Sequence, residues 1–379
     1  GKRIGGVLGD PEHYAAAYGA AGGTLGTGIA ALAGLIYIFL LFTKKKSDLK
    51  EHIAQDTSTN VLSYREVIKL LLMIATPIII SAAIYNINVP LDMTIHDKLL
   101  AAMGENKDII DGQYGLYSRY YLVLANVPIA MAAAIASAVI PGVSSAHAVH
   151  NEAECNRKIT QSMQLTMTLT TPCAFGFAVL GRPIVSFIYY SLNDADTKKV
   201  SYLLLFGGFS IIIYGISSVL NAVLQGIGKV NVPVISSVTA LVLHILILVP
   251  MLLMGFGTYS LIAATAFYAI VVVFMNYRVV KKELNYHIEW KPIVFVPMAS
   301  AVIMGIVTFF AYHLLKMLFD CFASNFVSNA IATMLSICIA AFIYFISMIK
   351  VGGYTEDMLR SFPKGALLAR LARKLKLIK

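Results

Sequence analysis

The property that most limits how this chain can fold is the recurrence of apolar runs long enough to cross a lipid bilayer. A hydrocarbon core of about 30 Å takes roughly 20 helical residues. Nine such runs occur, at 16–42, 67–91, 114–140, 159–189, 200–224, 232–254, 257–277, 292–315 and 325–349. Hydrophobic residues make up 58% of the chain and charged residues 13%, with a mean hydropathy of +0.75. No polar stretch between the runs is long enough to be a soluble domain. In hydrocarbon every backbone amide needs a partner within the protein, and a helix supplies those partners segment by segment. The expectation is an all-α polytopic membrane protein with about nine transmembrane helices. Pro77, Pro128 and Pro172 interrupt the second, third and fourth runs. Each removes one helical hydrogen bond, which a neighbouring helix or a water-filled cavity must offset.

Charge sets the orientation. With the segment after the first run placed inside, 21 of the 30 Lys and Arg residues are cytoplasmic, among them Lys44, Lys45, Lys46, Arg157, Lys229, Lys281 and Lys350. The outer set is Lys2, Arg3, Lys98, Lys107, Arg119, Arg182, Lys198, Lys199 and Lys316. The 20 acids divide evenly, so the inner side carries +11 and the outer side −1. That bias predicts an external start and a cytoplasmic C-terminus. It also assigns the net charge of +10 to anionic lipid headgroups and not to nucleic acid. The segment 359–379 ends in KGALLARLARKLKLIK, where Leu367, Leu368, Leu371, Leu375 and Ile378 share one helical face. Arg370, Arg373, Lys374 and Lys376 share the other, which predicts a basic amphipathic tail lying on the inner leaflet.

Sites for bond-making chemistry are scarce. There is no G-x-S-x-G, H-E-x-x-H or Walker A sequence, and no close carboxylate pair inside a run. Cys155, Cys173, Cys321 and Cys338 have no metal-ligand spacing. HAVHNEAE (His147 to Glu154) reads as a solvated loop, and His244 and His313, each alone in an apolar run, read as satisfied packed imidazoles. No cofactor is called for.

An internal echo points to a transporter architecture. YGAAGGTLGTGIAAL (Tyr18–Leu32) and FGTYSLIAATAFYAI (Phe256–Ile270) each place a Thr nine positions after an aromatic-Gly pair, Thr27 and Thr265. If a repeat holds six helices, residues 67–277 form a complete lobe. Residues 16–42 are then the last helix of a preceding lobe, and 292–349 two additional helices.

The first of those segments, YGLYSRYYLVLANVPIAMAAAIASAVIPGVS from Tyr114, GRPIVSFIY (Gly181–Tyr189) and NAVLQGIGKVNVPVISS (Asn221–Ser237) occur in an order and spacing that resembles one group of exporters. These are the lipid II flippase and stage V sporulation protein B-like polysaccharide biosynthesis proteins of the multidrug/oligosaccharidyl-lipid/polysaccharide exporter superfamily. The resemblance implies fourteen helices in two six-helix lobes plus two, of which this chain matches the sixth to the fourteenth, an N-terminally truncated piece. It implies a flippase of the bacterial cytoplasmic membrane that moves an undecaprenyl-diphosphate-linked precursor for peptidoglycan or another cell-wall polysaccharide by alternating access. A cation-coupled multidrug exporter and a non-transporting envelope scaffold are the competing readings.

Candidate site residues follow from the rarity of charge in lipid. Asp92 ends the second run after Asn86, Asn88 and the helix-breaking Pro90, and Arg119 opens the third. The resemblance implies an acid lining the cavity near Asp92 and a basic residue at Arg119, whose guanidinium would fork onto a diphosphate while Tyr114 flanks a sugar. Asn126, Gln164, Thr168, Asn221 and Gln225 are softer polar positions suited to the cavity or to interhelical glue. Glycines and Pro233 in LQGIGKVNVP predict a tight turn.

Orientation is open to a direct check. A cysteine placed at Asn106 is expected to react with an impermeant thiol reagent from outside, and one at Ser47 to be spared. The opposite labelling pattern would reverse the topology.

Overall fold

The computed structural model describes residues 11–55, 62–353 and 370, and the regular structure among them is helical throughout. Among the described residues, nine helices are long and apolar enough to span a bilayer. The basic tail expected at 359–379 lies outside the described residues apart from Arg370.

Close contacts divide the chain into two units, residues 1–69 and 70–379. The first holds α1 (Pro11–Lys44) and α2 (Lys46–Gln55). Pro11 suits the first helical turn, where its missing N–H loses nothing. The first turn of α3 (Tyr64–Ala102) also falls here, closed by a capping box. Ser63 N–H donates to Glu66 Oε2 at 2.8 Å and Glu66 N–H to Ser63 Oγ at 3.3 Å.

The second unit carries the rest of α3, then α4 (Lys107–Gly115), a π-helical turn (Leu116–Tyr121) and α5 (Leu122–Ala148). After these come α6 (Glu152–Ile188), α7 (Asp194–Gly226), α8 (Asn231–Leu253) and α9 (Thr258–Leu284). A second π-helical turn (Lys291–Phe295), α10 (Val296–Asp320) and α11 (Asn325–Lys350) complete it. The helices run past the apolar stretches because their polar ends stay wound. The largest extension is in α3, where Pro90 does not break the helix. Thr94 Oγ1 donates back to the Pro90 carbonyl at 2.8 Å, and winding continues to Ala102. Asp92 is therefore inside a helix and not at its end. The aromatic-Gly echo also differs locally. Tyr18 lies within α1, whereas Phe256 and Gly257 form the turn before α9, with Gly257 at φ +54°.

Small residues bring the central helices together. α6 and α7 share the most extensive seam, and α5 and α9 also pack on α7. A Cβ at Gly215 would lie 2.9 Å from the methyls of Thr166 and Thr170, and one at Gly208 would lie 3.1 Å from the Ala174 carbonyl. In lipid, where burial gives helices no hydrophobic reward, such close backbone approach is what holds them. The expected Gly turn between α7 and α8 is present, with Gly228 at φ +75° and Lys229 Nζ 3.1 Å from Glu283 Oε1. Apolar clusters fill the two ends of the body. Val143, Ile159, Leu220, Val223 and Leu284 sit near that turn, and Val185, Val200, Leu248 and Leu261 sit near the Gly255–Gly257 turn. Tyr286, beyond the end of α9, is buried in the first cluster against Thr160 Oγ1 at 3.3 Å, and burial pushes its phenol up to about 12. α10 and α11 form a hairpin against α6, pinned where Asn329 Nδ2 donates to the Pro183 carbonyl at 3.2 Å and Tyr312 OH to Asn329 Oδ1 at 2.8 Å.

The tightest approach is at Gly207, where an added Cβ would fall 2.2–2.5 Å from the ring end of Tyr121. Gly207→Ala is expected to destabilise the protein by about 1–3 kcal/mol through overpacking. Tyr121→Leu in the same chain should recover much of the loss in thermal unfolding in detergent. Additive losses would show that the two positions do not meet.

Candidate functional site

The charged centre of the second unit is a contact that links α3 to α8. Asp92 Oδ1 lies 2.6 Å from His244 Nε2, with the two residues 2% and 1% exposed. Hydropathy marks both as anomalies, an acid and an imidazole in apolar surroundings, and folding brings them together across 152 positions. His244 is packed, as its apolar run implies, and it is also paired. A carboxylate in a low-dielectric interior is tolerated only with such a partner. One turn along α3, His96 is fully buried, with Nδ1 3.2 Å from Asp97 Oδ1 and its ring 5.6 Å from that of Tyr114.

Three tyrosines form a ladder beside this pair. Tyr114 OH donates to the Val89 carbonyl at 2.8 Å, which ties α4 to α3. The Tyr114 and Tyr117 rings are 5.9 Å apart, and Tyr117 and Tyr121 stack at 5.4 Å. Tyr117 OH reaches Thr265 Oγ1 on α9 at 3.5 Å. Tyr114, expected to flank a sugar, is buried and its hydroxyl is engaged within the fold. Arg119 occupies the same π-helical turn but is exposed, on a face different from the ladder. The spacing of Tyr117 and Tyr121 held a signal for an inward face that a search for charges passes over.

A trough with amides and hydroxyls set in a largely apolar lining runs alongside, built of two adjoining cavities that share Asn86, Ile129 and Tyr214. One, about 130 Å³, is lined by Asn88, Tyr117, Asn126, Ser210 and Thr265 among others. The second, about 260 Å³, includes Ser81, Ser217, Asn221, Gln225, Ser237 and Tyr268. Asn86 is exposed, so the trough opens at the surface of this unit. Asn126, Asn221 and Gln225 thus line one continuous feature, whereas Gln164 and Thr168 are half-buried on α6 and line neither cavity. Asn221 has a second connection. Ser236 Oγ donates to Asn276 Oδ1 at 2.8 Å and Asn276 Nδ2 to Asn221 Oδ1 at 2.6 Å, joining α8, α9 and α7. Asn276, fully buried, has no charge or motif to announce it. His147 and His150 flank a turn, with His150 at φ +54° and Glu154 engaged by Arg157 at 2.6 Å. Among the described residues no group of His, Cys, Asp and Glu has the arrangement of a metal centre. The trough can therefore bind and orient a polar ligand, and the Asp92–His244 pair can hold or move a proton.

Removing one partner of the pair is expected to cost more than removing both. His244→Ala strands the Asp92 carboxyl and should lower stability by about 3–5 kcal/mol. Asp92→Leu with His244→Leu should lose less than the sum of the single changes, with a coupling of about 0.5–3 kcal/mol in thermal unfolding. A coupling of zero would show that the contact carries no energy.

Comparison with known proteins places these features in context. The family described as lipid II flippase MurJ matches residues 6–331. The lipid II flippase MurJ of Bacillus subtilis (strain 168) is 25% identical over 263 residues, 68% of this chain and 47% of that protein. The uncharacterized membrane protein YabM of the same organism is 24% identical over 363 residues, 95% of this chain and 64% of that protein. A solved structure of a lipid II flippase MurJ in an inward closed conformation shares the fold, with a TM-score of 0.50 at 20% identity over 79% of this chain and 57% of that one. The chain thus spans between about half and two-thirds of the length of these relatives.

Proposed function

The chain belongs to the lipid II flippase MurJ family, and from that premise we propose that it serves to translocate an undecaprenyl-diphosphate-linked cell-wall precursor across the bacterial cytoplasmic membrane by alternating access. The relative with a printed activity is a flippase, which fits a chain in which the site chemistry is binding and proton holding rather than bond making. The observation that carries the reading is the trough between α3, α5, α7, α8 and α9, open at Asn86, where amides and hydroxyls are set among apolar side chains. Such a surface suits the hydroxyl-rich sugar part of an amphiphile whose chain stays in lipid.

In this reading Arg119 is the diphosphate ligand. Arg119 is exposed and lines neither cavity, so it would meet the diphosphate outside the trough, its planar guanidinium offering two N–H groups to phosphate oxygens. Asp92 positions α3 through His244, and Asn126, Asn221 and Gln225 contact the sugars. Gln164 would join them only by a rearrangement of α6, and Tyr114 supports Val89 and the ladder rather than the sugar. The membership of 67–277 in one lobe, with 16–42 and 292–349 as flanking parts, is part of the same proposal. So are a cytoplasmic C-terminus and a basic tail at 359–379 resting on the anionic inner leaflet.

The test is binding by the purified chain in lipid nanodiscs, read by native mass spectrometry. An undecaprenyl-diphosphate-linked sugar is expected to be retained in preference to undecaprenyl monophosphate. Arg119→Ala should lose about 1.5–3 kcal/mol of that affinity, and Arg119→Lys should lose part of it while keeping the charge. Equal retention of both lipids, or an Arg119→Ala variant that binds as the parent does, would overturn the assignment.

A further inference from the structure

A further cavity of the second unit, about 600 Å³, shares no lining residue with the trough. It lies where four helices end or begin, with lining residues near the end of α6 and α10 and at the start of α7 and α11. The apolar runs stop at the same level, so the mouth falls at a membrane–water interface, the one that the charge bias predicts to be external. Its volume is that of a small-molecule site and not of a packing defect. The floor is rigid. Asn329 is 8% exposed, and its amide is spent on the Pro183 carbonyl and on Tyr312, so that residue frames the cavity and has little left to offer a ligand.

The groups free to meet a ligand carry both signs of charge. Arg182 Nη2 donates to Asp194 Oδ1 at 2.6 Å across an exposed surface, a kind of pair that contributes little and exchanges readily. No other hydrogen bond holds that guanidinium among the described residues, which leaves most of its N–H groups available. Lys316, half-buried, is bonded to Asp320 and to Asn325 Oδ1 at 2.8 Å, and an ammonium has three donors. His313 sits exposed in the lining with Nδ1 2.8 Å from the Phe309 carbonyl. A carbonyl can only accept, so Nδ1 carries the proton and the neutral ring leaves Nε2 as an acceptor. Two cations thus stand against two carboxylates. A lone anion or a lone cation would leave this set unbalanced, whereas a zwitterion matches it group for group.

We propose that the cavity binds the phosphoethanolamine headgroup of a membrane glycerophospholipid. The phosphate meets Arg182 and the third donor of Lys316, and the ammonium meets Asp194 and His313 Nε2. A primary ammonium supplies N–H donors to both acceptors, which a trimethylated one lacks. The lipid, as against a soluble phosphoethanolamine, is indicated by the apolar side chains around the mouth. Phe326 is in the lining and 48% exposed, and Leu314 and Met317 on α10 are 68% and 73% exposed, a surface for acyl chains that remain in the surrounding bilayer. Because the lining draws on α6, α7, α10 and α11, the bound headgroup joins the terminal hairpin to the body of the unit and stabilises the folded chain by mass action.

The experiment uses the full 379-residue chain in detergent, stripped of lipid, and no lipid-linked sugar is present, so its outcome is separate from the transport reading. Phosphatidylethanolamine, phosphatidylglycerol and phosphatidylcholine with identical acyl chains are offered at equal concentration, and retention is read by native mass spectrometry and by the shift in thermal unfolding. Phosphatidylethanolamine is expected to be retained over each of the others by about tenfold, the worth of one charge-assisted hydrogen bond, and to raise the unfolding temperature the most. Arg182→Gln, an exposed change, should unfold at the parental temperature without lipid and lose about tenfold in retention. His313→Phe should erase the preference over phosphatidylcholine and leave phosphatidylglycerol as it was. Soluble phosphoethanolamine should displace the lipid only in large molar excess. Equal retention of the three lipids, tighter retention of phosphatidylglycerol, an Arg182→Gln variant that binds as the parent does, or displacement by equimolar soluble phosphoethanolamine would each overturn the proposal.

Discussion

A polar group carried into the hydrocarbon region has to be answered by another part of the protein, and the contact between Asp92 and His244 answers two such groups at once. Much of the second unit is arranged around it. Because the acid has a partner on α8, α3 can continue through Pro90 and Asp92 to Ala102 instead of ending at the first charge. That continuation brings His96 against Tyr114 and places the Val89 carbonyl under the Tyr114 hydroxyl, which registers α4 and the following turn against α3. The same helix then offers Asn86 and Asn88 to the trough. A single buried contact thus bears on the length of one helix, the register of the next and one wall of the trough.

The remaining walls are held by a different kind of force. Between α6 and α7, Gly208 and Gly215 admit Ala174, Thr166 and Thr170 so closely that dispersion across the seam replaces the hydrophobic drive that lipid removes. Between α7, α8 and α9 the chain of Asn221, Asn276 and Ser236 does the same work with hydrogen bonds. Neither device changes with protonation. The α6, α7 and α9 side of the unit is thus held by backbone approach and buried amides, and the α3 side by a few side-chain contacts.

Much of this was legible in the sequence, and the part that was not has a physical reason. Hydropathy found the nine helices because bilayer thickness imposes a minimum apolar length, but it under-ran α3. The stretch after Leu91 mixes Thr94, His96, Asp97 and Lys98 with leucines, and a helix with a polar face gives a weak hydropathy signal. Asp92 was visible as a charge out of place. Its partner was not, since nothing in one sequence reports that positions 92 and 244 touch. His244 was visible only as a solitary imidazole. Amides were harder still. Asn126, Asn221 and Gln225 stood out as polar residues in apolar runs and do line the trough, yet Gln164 stood out equally and does not. Residue type cannot say which face of a helix looks inward when both sides are apolar.

The exposure of Arg119 shows how such a face is chosen. Local preference does not decide it, since a long cationic side chain is accommodated at an interface in most directions. The choice is made by Tyr114, Tyr117 and Tyr121, whose rings stack on the inward side and so fix the rotation of the turn. A π-helical turn takes more residues per turn than an α-helix, and here the Leu122 N–H bonds back to the Tyr117 carbonyl. Four residues apart, Tyr117 and Tyr121 share a face, and Arg119 between them is turned away. The turn in turn depends on Gly207, because any side chain there would drive Tyr121 out of the stack. A glycine on α7 thereby governs the aim of Arg119 on the neighbouring turn, and the packing that stabilises the second unit is the same packing that turns this side chain outward.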